Sequence, residues 1–288
     1  MGDITAQQYF AAVVGLSLIR GWYRDGDANA ARMQELSSIL DRGDEFPWNL
    51  KLNPTECDLD TGYAAWAPVY DGANPLVETE EACTLPLLRS LVGPGDRVLD
   101  AACGTGRNAG HLAGFGAGCV GLDRSAEMLA VARAKLPEVR FEEGDVEALP
   151  FADDEFDAAV SSLALCHLAD PSRAVTELAR VVRPEGSIVI TDPHPGSGIA
   201  GGQAFFGGLG EGMRWVRNHY HQASTWLRAF RAAGVDVTEC LELAYSDDQI
   251  AGFPAAAMYG EATAAAVSGL PCLWVWVLRV PPARRRPD

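Results

Sequence analysis

Val98-Leu99-Asp100-Ala101-Ala102-Cys103-Gly104-Thr105-Gly106-Arg107-Asn108 runs from an apolar stretch through two glycines into polar residues. That is the sequence of a strand opening into a glycine loop and then a helix, the usual nucleotide position at the carboxyl edge of a parallel sheet. Asp100 narrows the chemistry. A carboxylate at the strand end would repel a pyrophosphate, whereas it attracts an ammonium or sulfonium centre. Gly104 and Gly106 let the backbone approach a ligand where a Cβ would otherwise stand. Asp123 closes the next apolar run, 19 residues after Gly104, where an acidic side chain receives the two hydroxyls of a ribose. Asp145, in Gly144-Asp145-Val146-Glu147, is placed for the exocyclic amine of an adenine, and Phe156 to Ser162 ends beside the glycine loop. Four polar loops at one sheet edge point to a nucleoside-bearing cation.

These residues need a scaffold, and the hydrophobic spacing supplies one. It predicts a helix over 76–92, strand 97–102, helix 107–116, strand 118–123, helix 125–136, strands 139–143 and 156–161, and helix 171–183. The turn Arg183-Pro184-Glu185-Gly186 and strand 187–192 follow. Helix 223–234, strand 235–243, an Ala-rich helical stretch 245–268 and a buried strand 270–280 complete the pattern. Strands alternating with helices make an α/β fold of right-handed βαβ units, with helices on both faces of a parallel sheet. Residues 1–75 read as a helical N-terminal extension: Phe10, Val13, Val14, Leu16 and Ile19, then Met33, Leu36, Ile39 and Leu40, recur at helical spacing. Arg24-Asp25-Gly26-Asp27 is a turn with a capping aspartate between them. Residues 76–280 form the main domain. Within it, 193–222 is glycine-rich (Gly196, Gly198, Gly201, Gly202, Gly207, Gly208, Gly210, Gly212) and aromatic, without a period, and is expected to act as a lid. Arg284-Arg285-Arg286, among Pro281, Pro282 and Pro287, belongs to an expected disordered tail, 281–288.

Composition excludes several classes of partner. With 23 Lys+Arg against 39 Asp+Glu the net charge is −16, which repels nucleic acid and anionic membrane surfaces. The early apolar run Phe10–Ile19 is too short to span a bilayer and no basic residue precedes it. Seven cysteines, with no CxxC pair, fit free thiols in a cytoplasmic protein rather than a disulfide framework or zinc ribbon. Cys103 reads as a small packing residue, His167 as a pocket wall and His111 as a solvated helix residue. His194, His219 and His221 lie just past the fifth strand or in the lid-like segment. They are candidate proton acceptors, or else loop residues that hold geometry. No acidic ligand is grouped with them, so no metal site is expected.

VLDAACGTGRNAGHL, GLDRSAEML, GDVEALPF, FDAAVSSLALCHLAD and RVVRPEGSIVITD follow one another in order and spacing. In this the chain resembles the class I S-adenosylmethionine-dependent methyltransferases, in the style of the ubiquinone and menaquinone enzymes. The resemblance implies a Rossmann-like, mostly parallel seven-stranded sheet with an antiparallel last strand, and S-adenosyl-L-methionine as cofactor. It implies that Asp100, Gly104 and Gly106 hold the methionine end, and that Asp123, with Arg124 beside it, holds the ribose. Asp145 and Val146 would edge the adenine, and Ser161 would lie near the sulfonium. Met128 would pack on the adenine, or serve as a plain core residue. Tyr63 and Tyr70 would close over the cofactor. The expected activity is methyl transfer to a small or medium-sized organic acceptor or short peptide, oxygen favoured over carbon or nitrogen. His194, His219 and His221 would then be the catalytic candidates. Two rivals remain: a cofactor-binding member that transfers no methyl group (a cyclase or interaction module), and an NAD(P)-dependent oxidoreductase. The N-terminal helices are the expected place for any self-association.

Overall fold

The computed structural model describes residues 3–208 and 212–282. Gly210, Arg284-Arg285-Arg286 and Pro287 lie outside the described residues, as does most of the 281–288 tail. The chain forms two compact units, Asp58–Pro195 with Arg217–Leu243 and Leu273–Asp288, and Met1–Cys57 with Gly196–Val216 and Ala244–Cys272. Residues 58–75 therefore group with the sheet, whereas the sequence reading grouped them with the N-terminal helices. The glycine-rich segment divides between the two units.

The sheet unit is built on β1 (Arg97–Ala101), β2 (Gly118–Asp123), β3 (Arg140–Glu143), β4 (Phe156–Ser162), β5 (Val182–Pro193), β6 (Asp236–Ala244) and β7 (Pro271–Arg279). Their order is β3-β2-β1-β4-β5-β7-β6. Pairs from β3 through β5 are parallel, and β7 runs antiparallel to β5, with Leu273 opposite Pro193 and Arg279 opposite Ser187. This is the mostly parallel seven-stranded sheet expected. Strand order reverses between β1 and β4, which leaves a crevice at their carboxyl ends.

Helices α1 (Leu59–Trp66), α2 (Pro75–Leu91), α3 (Arg107–Gly114), α4 (Ala126–Lys135), α5 (Ser172–Val181) and α6 (Ala223–Ala233) accompany the sheet. Side chains alternate between its two faces. Leu99, Ala101, Ala159, Ile188 and Ile190 enter one core with Val175 and Leu178 of α5 and Trp226 and Phe230 of α6. Val98, Ala158, Val160 and Val189 enter the other with Leu88 of α2, Leu112 of α3 and Leu129 of α4. The same alternation turns Thr191 and Ser162 toward α2, and Ser161 and Asp192 toward the opposite face. Capping fixes where helices begin. Asn74 Oδ1 accepts from Leu76 N at 3.0 Å ahead of Pro75, and Ser125 Oγ accepts from Met128 N at 3.2 Å. The expected turn at 183–186 lies instead within β5. Glu185 takes φ 65° there, and the register against β4 shifts between Phe156 and Ala158, so the turn residues form an irregularity in a continuous strand.

In the second unit, helices Ala6–Gly21, Gly26–Asp41 and Ala256–Val267 share a core around Phe10, Val14, Ile39, Trp48 and Ala262. Asp25 caps the second of them through Asp27 N and Ala28 N, both at 3.0 Å. The unit is not all helical. Thr55–Cys57 pairs in parallel with Arg214–Val216, which pairs with Ala204–Phe206. Two short strands thus lie where no period was legible. Among the described residues no helix is long and apolar enough to cross a membrane.

Candidate functional site

Beyond β1 the chain turns through Ala102 (φ 57°), Gly104 (φ 53°) and Gly106 (φ 80°). A left-handed alanine stores backbone strain at this loop. The two glycines serve different ends. A Cβ on Gly104 would meet nothing within 4 Å, so that side of the loop is open to a ligand. On Gly106 it would stand 3.0 Å from Phe141 Cζ and 3.2 Å from Ala132 Cβ. Gly106 therefore lets the start of α3 close against α4 and β3. Cys103 packs inward, its sulfur 2.9 Å from where a Cβ on Gly121 would be.

Asp100 is 1% exposed, and its Oδ2 accepts from Ala109 N at 2.9 Å in the first turn of α3. Burial pushes its carboxyl up to about 7, opposed by the Arg107 guanidinium and the Ala109 hydrogen bond and reinforced by Asp123 and Glu80. A cation arriving near it favours the carboxylate form. Asp123, at the end of β2, joins two loops. Its Oδ2 accepts from Gly104 N at 2.7 Å and its Oδ1 from Ser125 N at 2.8 Å. Burial raises its pKa too, against those backbone bonds. Each oxygen keeps a lone pair, which suits two neighbouring hydroxyls.

The segment after Asp58 lies on this edge. Tyr63, Trp66 and Tyr70 cluster with ring centroids 5.0–6.0 Å apart. Asp71 ties them down: its Oδ1 accepts from Thr105 Oγ1 at 2.6 Å and its Oδ2 from Lys135 Nζ at 2.7 Å. Arg124 does the same from β2, its Nε 2.9 Å from Asp60 Oδ1. Tyr63 Oη lies 2.6 Å from His167 Nε2, and His167 Nδ1 donates to the Arg217 carbonyl at 2.8 Å. Nδ1 therefore carries the proton, and Nε2 accepts from the phenol. Burial lowers the His167 pKa, the Arg217 carbonyl opposing and His219 adding to the fall, and burial drives the Tyr63 phenol well up.

Glu80 was not legible as a site residue. Fully buried on α2, it pairs with Arg107 Nη1 at 2.6 Å and accepts from Ser162 Oγ at 2.9 Å and Thr191 Oγ1 at 3.2 Å. Asn108 Nδ2 donates to the same Ser162 oxygen at 2.9 Å. One carboxylate thus cross-links α2, α3, β4 and β5 directly behind the glycine loop. Glu78, Glu80 and Glu81 look alike in sequence; only the buried helix face separates them.

Of the other predicted residues, Met128 is fully buried. Asp145 is exposed, and its Oδ1 accepts from Glu147 N at 2.8 Å, while Val146 rests partly buried on the core. Ser161 is fully buried and, among the described residues, its Oγ has no hydrogen-bond partner. Asp192, on the same face of β5, is 1% exposed. Its Oδ1 accepts from Cys166 N at 3.1 Å, its Oδ2 lacks a hydrogen-bond partner among the described residues, and burial pushes its pKa up to about 7. His194 sits 3.1 Å from Glu242 Oε1 and against Trp274. His221 Nε2 lies 3.3 Å from the Leu165 carbonyl, and its ring stacks 6.4 Å from His219. His219 N donates to the Cys166 carbonyl at 2.6 Å, next to His167. Among the described residues no group of three potential metal ligands occurs.

Residues 99–190 match the family model described as "Methyltransferase domain". The chain is 39% identical over 133 residues to the demethylmenaquinone methyltransferase of Renibacterium salmoninarum, covering 45% of this chain and 56% of that protein. It is 36% identical over 166 residues to the 2-phytyl-1,4-naphtoquinone methyltransferase of Synechocystis, covering 53% of this chain and 69% of that one. In structure it is similar to a Haloferax volcanii chain solved in complex with the Trm112 methyltransferase activator (TM-score 0.61, 25% identity, 79% of this chain and all of that one). It is also similar to an S-adenosylmethionine-dependent methyltransferase of Mesorhizobium loti (TM-score 0.51, 25% identity, 70% of this chain and 99% of that one). The likeness to the [4+2]-cyclase SpnF (TM-score 0.56, 21% identity, 80% of this chain and 99% of that one) is one of fold.

Proposed function

Because this chain belongs to the S-adenosylmethionine-dependent methyltransferases, in the group that includes the quinone methyltransferases, we propose that it methylates an oxygen of a small quinol or related hydroxylated aromatic. The cofactor supplies the methyl group as a sulfonium cation. The donor set suits it. Asp123 offers two lone pairs to the ribose with Arg124 beside it, Gly104 leaves the loop face open, and Ser161 holds an orphaned hydroxyl on β4. Asp100 with Gly106 would shape the methionine end, Asp145 and Val146 would edge the adenine with Met128 behind it, and Tyr63 and Tyr70 would cover it. His194, His219 and His221 would line the acceptor side.

The observation that carries the reading is Asp123. One carboxylate bonded to both the glycine loop and the start of α4 presents a rigid acceptor pair at the carboxyl edge of the sheet, one strand from its switch point. For the acceptor, the Tyr63–Trp66–Tyr70 cluster on the same edge offers aromatic faces to a planar ring. Transfer itself depends on positioning and exclusion of water, which contribute more than proton removal. The test is calorimetry with S-adenosylhomocysteine, then labelled S-adenosylmethionine with 1,4-naphthohydroquinone under anaerobic conditions. A product heavier by one methylene, with an O-methyl signal by NMR, supports the proposal. A C-methyl signal replaces oxygen by carbon as the accepting atom. Cofactor binding with no transfer to any hydroxylated aromatic would favour a non-methylating member of the fold.

A further inference from the structure

We propose that Tyr63 and His167 form a proton relay for the transfer reaction, with the Tyr63 phenol touching the accepting oxygen and His167 Nε2 receiving the proton. The inference rests on the methyltransferase reading above and names the base which that reading leaves open. Three features of the geometry point to it. The Tyr63 Oη to His167 Nε2 bond, at 2.6 Å, is short for a neutral O–H···N contact, and the rings meet edge to face at 5.2 Å. The Arg217 carbonyl holds the proton on Nδ1, so Nε2 is the free base and no rotation is needed before it acts. Finally, the ring packs on Tyr70 at 6.0 Å between centroids, and its phenol feels the charges of Asp123, at the expected ribose position, and of Asp192, at the end of β5. It thus stands between the cofactor edge of the sheet and the strand beyond the switch point, where a methyl donor and an acceptor would meet.

The candidate histidines of the sequence are less suited. His194 is held by Glu242 and packed on Trp274, and His221 turns its Nε2 to the Leu165 carbonyl. His219 stacks its ring on His221.

The step balances as follows. The acceptor O–H bond breaks and its proton passes to Tyr63 Oη while the Tyr63 proton passes to His167 Nε2. The electron pair left on the acceptor oxygen would form the new bond to the methyl group as the methyl–sulfur bond breaks, its electron pair staying on sulfur and turning the sulfonium into a neutral thioether. His167 becomes an imidazolium, still bonded to the Arg217 carbonyl through Nδ1, and later returns its proton to water. Tyr63 is unchanged at the end. Burial suits both members: it keeps His167 neutral at physiological pH and keeps the Tyr63 phenol protonated as a carrier rather than a fixed anion.

The test uses the full chain with Tyr63→Phe and His167→Gln, whose amide oxygen still accepts from Tyr63 but takes no proton. On 1,4-naphthohydroquinone both variants should lose about 10²-fold or more in kcat, with the dissociation constant for S-adenosylhomocysteine changed less than about threefold. In the wild type, kcat should fall as pH drops through the His167 pKa, below its ordinary value. In His167→Gln that limb should vanish, leaving a rate that climbs with hydroxide concentration. Retained kcat, or an equal loss in cofactor affinity, overturns the relay and leaves Tyr63 as a cover for the cofactor. A second arm needs no turnover. Nitrogen-15 NMR of labelled histidine should show His167 protonated on Nδ1 alone, titrating below its ordinary pKa, with a shift at Nε2 in Tyr63→Phe. A proton on Nε2, or a pKa at or above the ordinary value, overturns the relay even if the naphthohydroquinone is no substrate. In that event the acceptor reading fails separately.

Discussion

Replacing Asp192 by asparagine isolates what it costs to bury a carboxyl at the end of β5. The side chain is 1% exposed, with one oxygen on Cys166 N and the other without a partner. Burial raises its pKa from 3.8 to about 7, and a difference of about 3 units corresponds to about 4 kcal/mol between the two protonation states. The folded chain keeps this proton up to about pH 7, whereas the unfolded chain loses it near pH 4. Between those values the folded state binds more protons, so stability is greatest in acid and falls as pH rises. Asparagine has no such proton. Its amide brings donors to the spot where Oδ2 has no partner, at a cost of about 1–3 kcal/mol, but that cost is the same at every pH. The informative quantity is therefore the variant-minus-wild-type difference in unfolding free energy, measured with urea at about pH 4 and about pH 8. It should move in favour of asparagine by about 2–4 kcal/mol across that interval. A difference constant to within about 0.5 kcal/mol would mean that Asp192 titrates as in water, and the end of β5 would then not be dry.

Asp123→Ala should weaken S-adenosylhomocysteine binding by about 1.5–3 kcal/mol, the loss of charge-assisted bonds to a ribose; unchanged affinity by calorimetry would remove Asp123 from the site. The two loop glycines should separate. Gly106→Ala, with its Cβ pressed on Phe141 and Ala132, should cost about 2–4 kcal/mol of stability. Gly104→Ala should cost only the backbone term of about 1–2 kcal/mol while weakening cofactor binding, and the opposite pattern would reverse the roles given to them. Glu80→Gln leaves Arg107 without its buried charge partner and should cost about 3–5 kcal/mol, read from denaturant midpoints; a loss under about 1 kcal/mol would show that water reaches the pair.

The parts of the fold carried by short-range pattern were legible. Strand Arg97–Ala101 carries Val98 into one covered face and Leu99 and Ala101 into the other, and Asp100, Asp123 and Ser161 stand as polar residues at or beside the ends of three apolar runs. What pattern does not encode is which strand end meets which distant side chain. His167 looked like a wall residue because its partner is 104 residues away at Tyr63, and Glu80 did not stand out because one of its partners, Thr191, lies 111 residues on. The same limit explains the unit boundary. Residues 196–216 and 244–272 return to the N-terminal helices, and the short strand Arg214–Val216 exists through pairing with Thr55–Cys57 on one side and Ala204–Phe206 on the other. Three-residue strands have too little length to show a period.

The electrostatics of the loop follow from where its cation is spent. Arg107 directly succeeds the glycines and would by position neutralise Asp100 and Asp123. Instead its guanidinium lies 2.6 Å from Glu80 and 3.4 Å from Glu81. Glu80 can hold it there because Ser162 and Thr191 satisfy the carboxylate from the strand side. The two aspartates take their hydrogen bonds from backbone N–H groups, which stabilise a carboxylate less than a bonded opposite charge does, while Arg107, paired with Glu80, acts on Asp100 through space. Their raised pKa values are the measure of that deficit. A positively charged ligand relieves it and a neutral one of the same shape does not. On the proposed reading the arrangement would favour a methyl donor that carries the sulfonium charge over the thioether left after transfer. On the proposed reading Glu80 would strengthen that preference by pairing with Arg107.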